Sequence, residues 1–143
     1  MGLVRTRIPI KVDSDIIAAQ QAGREMARGL GLGLADQTRL AAAISELTCN
    51  ATHYARGGAF DIIDMSNQSD INIQVVVEHY GRGIPNGGKA TDHDFSTGGG
   101  FGASVPTIKS LVDQFNIESE PGYTKAIIAI IRNSPATTQP ATS

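Results

Sequence analysis

Glu46 and Asn50 are the residues of this chain best spaced to do chemistry together. They stand at i and i+4 within a stretch from Leu34 to Ala55 in which Leu40, Ile44, Leu47, Ala51 and Tyr54 recur at the spacing of one helical face. Both polar groups fall on the margin of that apolar stripe, and His53 continues the same edge one turn further on. A carboxylate on a half-buried strip needs a partner. Beside a side-chain amide it can accept a proton, help hold a hard cation or orient a ligand. Taken alone, the same residues also read as a solvated helix edge. Cys49 reads as a small half-buried side chain, His53 as a structural hydrogen-bonding histidine and His93 as a loop residue, since nothing near them in the sequence activates any of them.

Two glycine segments could meet a ligand through the backbone. Gly81-Arg82-Gly83-Ile84-Pro85 follows a strand candidate, and glycine there permits positive φ and close approach of a ligand to the main chain. The second segment runs from Phe95 through Ser96, Thr97, Gly98, Gly99, Gly100, Phe101, Gly102, Ala103, Ser104 and Val105 to Pro106, and leads into a helix start. Unshielded amides at the positive end of a helix favour an anion, with phosphate the natural occupant. No Gly-Lys-Ser/Thr follows, so it is not a Walker loop, and no full dinucleotide fingerprint is present. Each segment also has a plain reading, as a tight turn and as a flexible tip.

The elements that must position these groups follow from the pattern. Arg5 to Ile10 reads as an edge strand, because Pro9 lacks an amide donor. Asp13 or Ser14 serves as N-cap of a helix through Ile16, Ile17, Ala19, Gly23, Met26, Ala27 and Leu30, which Gly31 and Gly33 stop. After the Glu46 helix, Phe60–Met65 and Ile71–Val77 form a hairpin joined by 66–70. The glycine-rich, polar run from Tyr80 to Ala103 is too long for a mere connection and is either functional or mobile. A helix from Ser104 or Val105 to Phe115 precedes a closing strand pair, Phe115–Ser119 and Thr124–Ile131, around Pro121-Gly122. The expected architecture is α+β, a two-layer sandwich with about three helices on one face of a mixed, mostly antiparallel sheet of four or five strands. Residues 1–132 form the domain, and 133–143 are a Ser/Thr/Pro/Ala tail with too little apolar content to fold.

The whole chain narrows the function classes. At 143 residues and 41% hydrophobic content it fits one globular domain. A net charge of −2 gives no basic field for nucleic acid, and no apolar run is long enough to span a bilayer. One cysteine excludes an internal disulfide, and with no signal-peptide pattern the expected compartment is the reducing cytoplasm. The Met1-Gly2 to Thr6 myristoylation pattern and the sequons at Asn50 and Asn67 lack the context that would give them meaning.

In order along the chain, Asp36-Gln37-Thr38-Arg39, Ile44-Ser45-Glu46-Leu47-Thr48-Cys49-Asn50, Tyr54-Ala55, Gly83-Ile84-Pro85, Asp94-Phe95-Ser96-Thr97 and Leu111-Val112-Asp113-Gln114-Phe115 resemble the GHKL family of ATPases and kinases. Within it the chain is most similar, from Val4 to Arg132, to the anti-sigma regulatory serine/threonine kinases of the stressosome switch type. The resemblance implies the Bergerat-type sandwich, ATP and Mg²⁺ as cofactors, a STAS-domain antagonist as phosphorylated partner, and a phosphatase or sigma-factor regulator as second partner. It implies that Glu46 is the general base and that Asn50 holds Mg²⁺ against the nucleotide phosphates. Gly81, Gly83 and Ile84 correspond to the turn beside adenine, Ser96 to Ser104 to the lid and phosphate loop, and Thr124 to a threonine lining the adenine site.

Three positions depart from the family pattern. His79 stands where an aspartate accepts a hydrogen bond from the adenine amino group, and Glu78, on the opposite side of the pleat, cannot replace that contact. A neutral imidazole in that pocket can accept one such bond, and protonation near an ordinary pKa of about 6.5 would remove it. Ser104 adds a side chain where the phosphate loop has glycine, and Arg82 stands where the switch kinases often have proline. Two functions therefore stay open: an ATP-dependent serine/threonine protein kinase, or a non-catalytic binding module of the same fold that holds nucleotide weakly. A small metabolic enzyme using the glycine loop for another phosphate ligand is a third.

Overall fold

The computed structural model describes residues 5–53, 57–80, 100–120 and 122–133, and for 50–53 and 100–104 the main chain only. Its elements are β1 (Arg5–Ile10), α1 (Asp13–Gly29), α2 (Leu34–His53), β2 (Gly58–Asp64), β3 (Asp70–Tyr80), α3 (Gly100–Leu111), β4 (Gln114–Glu120) and β5 (Tyr123–Asn133). The five strands form one sheet in the order β1-β2-β3-β5-β4, antiparallel at every pairing. β1 is an edge strand, as Pro9 requires.

The strands alternate as half-buried strands should. Ile71, Ile73, Val75 and Val77 of β3 and Ala126, Ile128 and Ile130 of β5 are buried on one face, with Phe60 and Ile62 of β2 beside them. The α2 residues Leu40, Ala43, Ile44 and Leu47 close onto that face together with Ala19 and Ala27 of α1 and Ile108 of α3. This is the two-layer α+β sandwich implied by the resemblance.

Two polar devices fix where α2 lies. The α1 helix ends in a Schellman motif, with the Leu32 amide donating to the Ala27 carbonyl and the Gly31 amide to that of Arg28, and Gly31 supplies the φ of 97°. At the start of α2, the Arg132 guanidinium holds Asp36 through Nε and Nη2 at 3.1 and 3.0 Å, and its Nη1 reaches Asp113 at 2.6 Å. The end of β5 is thus locked to the first turn of α2 by a forked ion pair.

Four local expectations change. The N-cap of α1 is Val12, not Asp13 or Ser14. Asp15 instead turns its carboxylate back to accept from the Lys11 and Val12 amides at 2.8 and 3.0 Å, which holds it below the usual carboxylate range. The third helix does not reach Phe115 but ends at Leu111, because Asp113 binds β5: its amide donates to the Ala129 carbonyl and its carboxylate accepts from the Ile131 amide at 2.7 Å. That helix also begins earlier than glycine and proline propensity suggests, taking in Gly100 to Gly102 and carrying Pro106 in its interior. At the C-terminal boundary, Asn133 is still in β5, opposite Asp70, and the tail proper, 134–143, lies outside the described residues.

Candidate active site

Three neighbouring apolar stripes on the helix-facing side of the sheet each end in a polar residue, and the register brings those ends together. On β3 the stripe Ile73, Val75, Val77 ends at His79. On β5 the stripe Ile130, Ile128, Ala126 ends at Thr124, and on β4 Phe115 and Ile117 lead to Ser119. His79 stands directly opposite Thr124, and Thr124 opposite Ser119, so the three form one row across β3, β5 and β4. All three are buried. The Ser119 and Thr124 hydroxyls lie 2.9 Å apart and share a hydrogen bond. A core gains little from such a row, and its concentration at one end of the sheet marks that end as the candidate site.

On the other side of His79 the row continues to Gly58 and then to Ile10. A Cβ at Gly58 would overlap the carbonyl oxygen of Glu78, so only glycine lets β2 lie this close to the end of β3.

α2 crosses this end of the sheet. The Nε2 of His79 lies 3.1 Å from the Leu47 carbonyl oxygen, and since a carbonyl only accepts, Nε2 carries the proton. Burial pushes the imidazole down to about 4, the bond to Leu47 opposing this, so the ring is neutral at physiological pH. The acid sensitivity expected near pH 6.5 therefore moves to a lower range. Glu46 precedes Leu47, and Asn50 follows it by three residues. At about 100° per residue both lie on the same flank of Leu47. Glu46 is half-buried, while Leu47 and Ile44 are fully buried. Thr48 turns inward and donates back to the Ile44 carbonyl at 2.8 Å. The Cys49 thiol is pushed up by burial and then by the Glu46 and Asp13 charges.

Of the residues singled out in the sequence, the structure thus brings Glu46, the α2 turn carrying Asn50, His79 and Thr124 to one end of the sandwich. Gly100, Phe101, Gly102, Ala103 and Ser104 form the first turns of α3. Gly81, Gly83, Ile84, Ser96, Thr97, Gly98 and Gly99 lie outside the described residues, as does Arg82. Sequence reasoning missed Ser119 and the Leu47 carbonyl. Ser119 had a signal, a serine continuing the alternation Phe115, Ile117, whereas the carbonyl had none.

Glu78 faces the opposite side of the sheet, as the pleat requires. Burial works against its charge, but hydrogen bonds from Tyr123 at 2.8 Å, Tyr80 at 3.0 Å and Arg7 at 3.2 Å hold its carboxyl below the ordinary range. Burial and the bond to Glu78 together push Tyr123 up to about 12. Arg7 also binds the buried Asp61 at 2.6 Å, so this open face is braced by its own ion pairs. A groove of about 390 Å³ lined by Met26, Leu30, Glu25 and Asp64 lies at the other end of β2 from Gly58. At about 3.3 Å per residue that is roughly 20 Å away, too far to serve Glu46.

Among the described residues no helix is long and apolar enough to cross a membrane, and no three His, Cys, Asp or Glu side chains converge on a metal position. No family model matches the chain. It is 39% identical over 123 residues, 86% of its own length and 92% of the relative's, to the protein named serine/threonine-protein kinase RsbT of Bacillus subtilis (strain 168).

Proposed function

The chain belongs to the RsbT-type family of anti-sigma serine/threonine kinases, and from that membership we propose that it is itself an ATP-dependent protein kinase acting as a stress-response switch. Its substrate is a serine on a STAS-type antagonist, with a phosphatase or sigma-factor regulator as the alternate partner. The observation that carries this reading is the coincidence of Glu46 and the Asn50 turn with the polar row His79, Thr124, Ser119 at one end of an otherwise apolar interface.

The donor set fits the implied cofactors. An amide oxygen from Asn50 is a hard ligand, and Mg²⁺ held mainly by nucleotide phosphates and water needs few protein ligands. When bound, Mg²⁺ supplies charge neutralisation at the phosphates. The chain's own residues do the rest. Glu46 accepts the proton from the attacking hydroxyl as its oxygen bonds to the γ-phosphorus, the bond from phosphorus to the β,γ-bridging oxygen breaks, and ADP leaves. Thr124 lines the base end. The resemblance assigns Gly81, Gly83 and Ile84 to the base and Ser96 to Ser104 to the phosphates.

Transfer of labelled phosphate from ATP to the antagonist tests the proposal. Glu46→Gln is expected to abolish transfer while ATP binding survives, and Asn50→Ala to weaken Mg²⁺-dependent binding itself. Transfer by Glu46→Gln at the parent rate removes Glu46 as base. The second reading, a binding module with weak nucleotide affinity, is favoured by the burial of His79 and its bond to the main chain, and absence of ATP binding in the parent protein would establish it.

A further inference from the structure

We propose that His79 is a positioning residue for α2, which through its Nε2–H bond to the Leu47 carbonyl holds the turn bearing Glu46 and Asn50 in register with the sheet. Its consequence for catalysis rests on the kinase reading, whereas the tether itself does not.

The Leu47 carbonyl lies inside α2, where the helix already provides the amide four residues on as donor. A carbonyl has two lone pairs, and a second donor from another element is a cross-link between layers. The other contacts of this part of α2 with the sheet include Leu40, Ile44 and Leu47, apolar residues whose packing is non-directional and tolerates small slides and rotations. A hydrogen bond does not tolerate them. Arg132 provides such a directional link at the first turn of α2, and His79 provides one next to Glu46.

The ring is itself held in place. Gly58 leaves room on one side, and on the other stands Thr124, whose hydroxyl is engaged with Ser119. With 5% of the residue exposed, water does not compete for the bond. A displacement of about 1 Å in a catalytic group can cost roughly a hundredfold in rate, so a tether one residue from the proposed base has leverage.

Three variants of the full chain separate this from a structural or base-reading role. His79→Gln places an amide N–H where Nε2 stands, while His79→Leu removes the donor and His79→Asn is too short to reach. In the free protein, imidazole ¹⁵N shifts are expected to report the Nε2–H tautomer, and amide exchange over 47–51 to accelerate in His79→Leu and His79→Asn but not in His79→Gln. Single-turnover transfer is expected to fall about 10- to 100-fold in the first two, with KM for ATP less affected, and to recover in His79→Gln. The fall should be equal with ATP and with purine riboside triphosphate, which lacks the exocyclic amino group. Unchanged exchange in His79→Leu overturns the tether, and a loss seen with ATP alone reassigns His79 to base recognition. If the parent transfers no phosphate, the kinase reading fails and the exchange and tautomer measurements still decide the tether. Should His79→Leu not fold, the contrast between His79→Gln and His79→Asn decides it.

Discussion

A histidine that is 5% exposed and neutral makes stability depend on pH in a definite direction. Its folded value of about 4 lies below the ordinary 6.5, so between these limits the unfolded chain binds a proton that the folded one refuses. Stability is fully present above pH 6.5 and is lost as pH falls towards 4, on the order of 3 kcal/mol in all. Urea unfolding between pH 7 and 5, above the range where carboxylates titrate, should show this slope in the parent and a flatter one in His79→Gln. At this scale the helical half of the site was legible, since Glu46 and Asn50 are neighbours by periodicity alone. The contact of His79 with Leu47 was not. It joins residues 32 apart and depends on how a helix docks on a sheet, which spacing does not encode.

Between elements, polar clamps and close approaches set the geometry. The Arg132 fork links β5, α2 and the turn before β4 through Asp36 and Asp113, with side chains 31%, 19% and 39% exposed. Arg132→Ala should cost about 1 to 2 kcal/mol by denaturant titration, and a double-mutant cycle with Asp36→Ala should return most of it as coupling. Gly58→Ala drives a methyl into the Glu78 carbonyl and should cost about 1 to 3 kcal/mol, more than an ordinary alanine substitution in a strand. Strand positions were legible because Ile73, Val75, Val77 and Ala126, Ile128, Ile130 alternate cleanly. The start of α3 was not, since Gly100, Gly102 and Pro106 argue locally against the helix that tertiary packing imposes. The reach of Asp15 back to Lys11 and Val12 was hidden for a similar reason: the side chain that caps α1 sits inside the helix.

For the molecule as a whole, a nucleotide that binds only the folded state must stabilise it. ATP with Mg²⁺ at a hundred times Kd is expected to add about 2.7 kcal/mol, read as a rise in Tm, and the gain should vanish in Asn50→Ala. No rise at any concentration of ATP with Mg²⁺ would sink the nucleotide-binding reading.

The strand order carries a kinetic consequence. β2 with β3 and β4 with β5 are local hairpins, but the two meet only where β3 pairs with β5, from Asp70 opposite Asn133 to Tyr80 opposite Tyr123. That seam closes a loop of roughly 40 to 60 residues, the kind of non-local contact that slows folding. Doubling the loop with a neutral Gly/Ser insertion after β3 raises the closure cost by about 0.6 kcal/mol, so refolding should slow about threefold with the unfolding rate unchanged in a chevron plot. His79 and Thr124 face each other across that same seam. The Thr124–Ser119 part of the row belongs to a local hairpin, whereas His79 joins it only when the seam closes, so the complete row exists only in a chain whose sheet is complete.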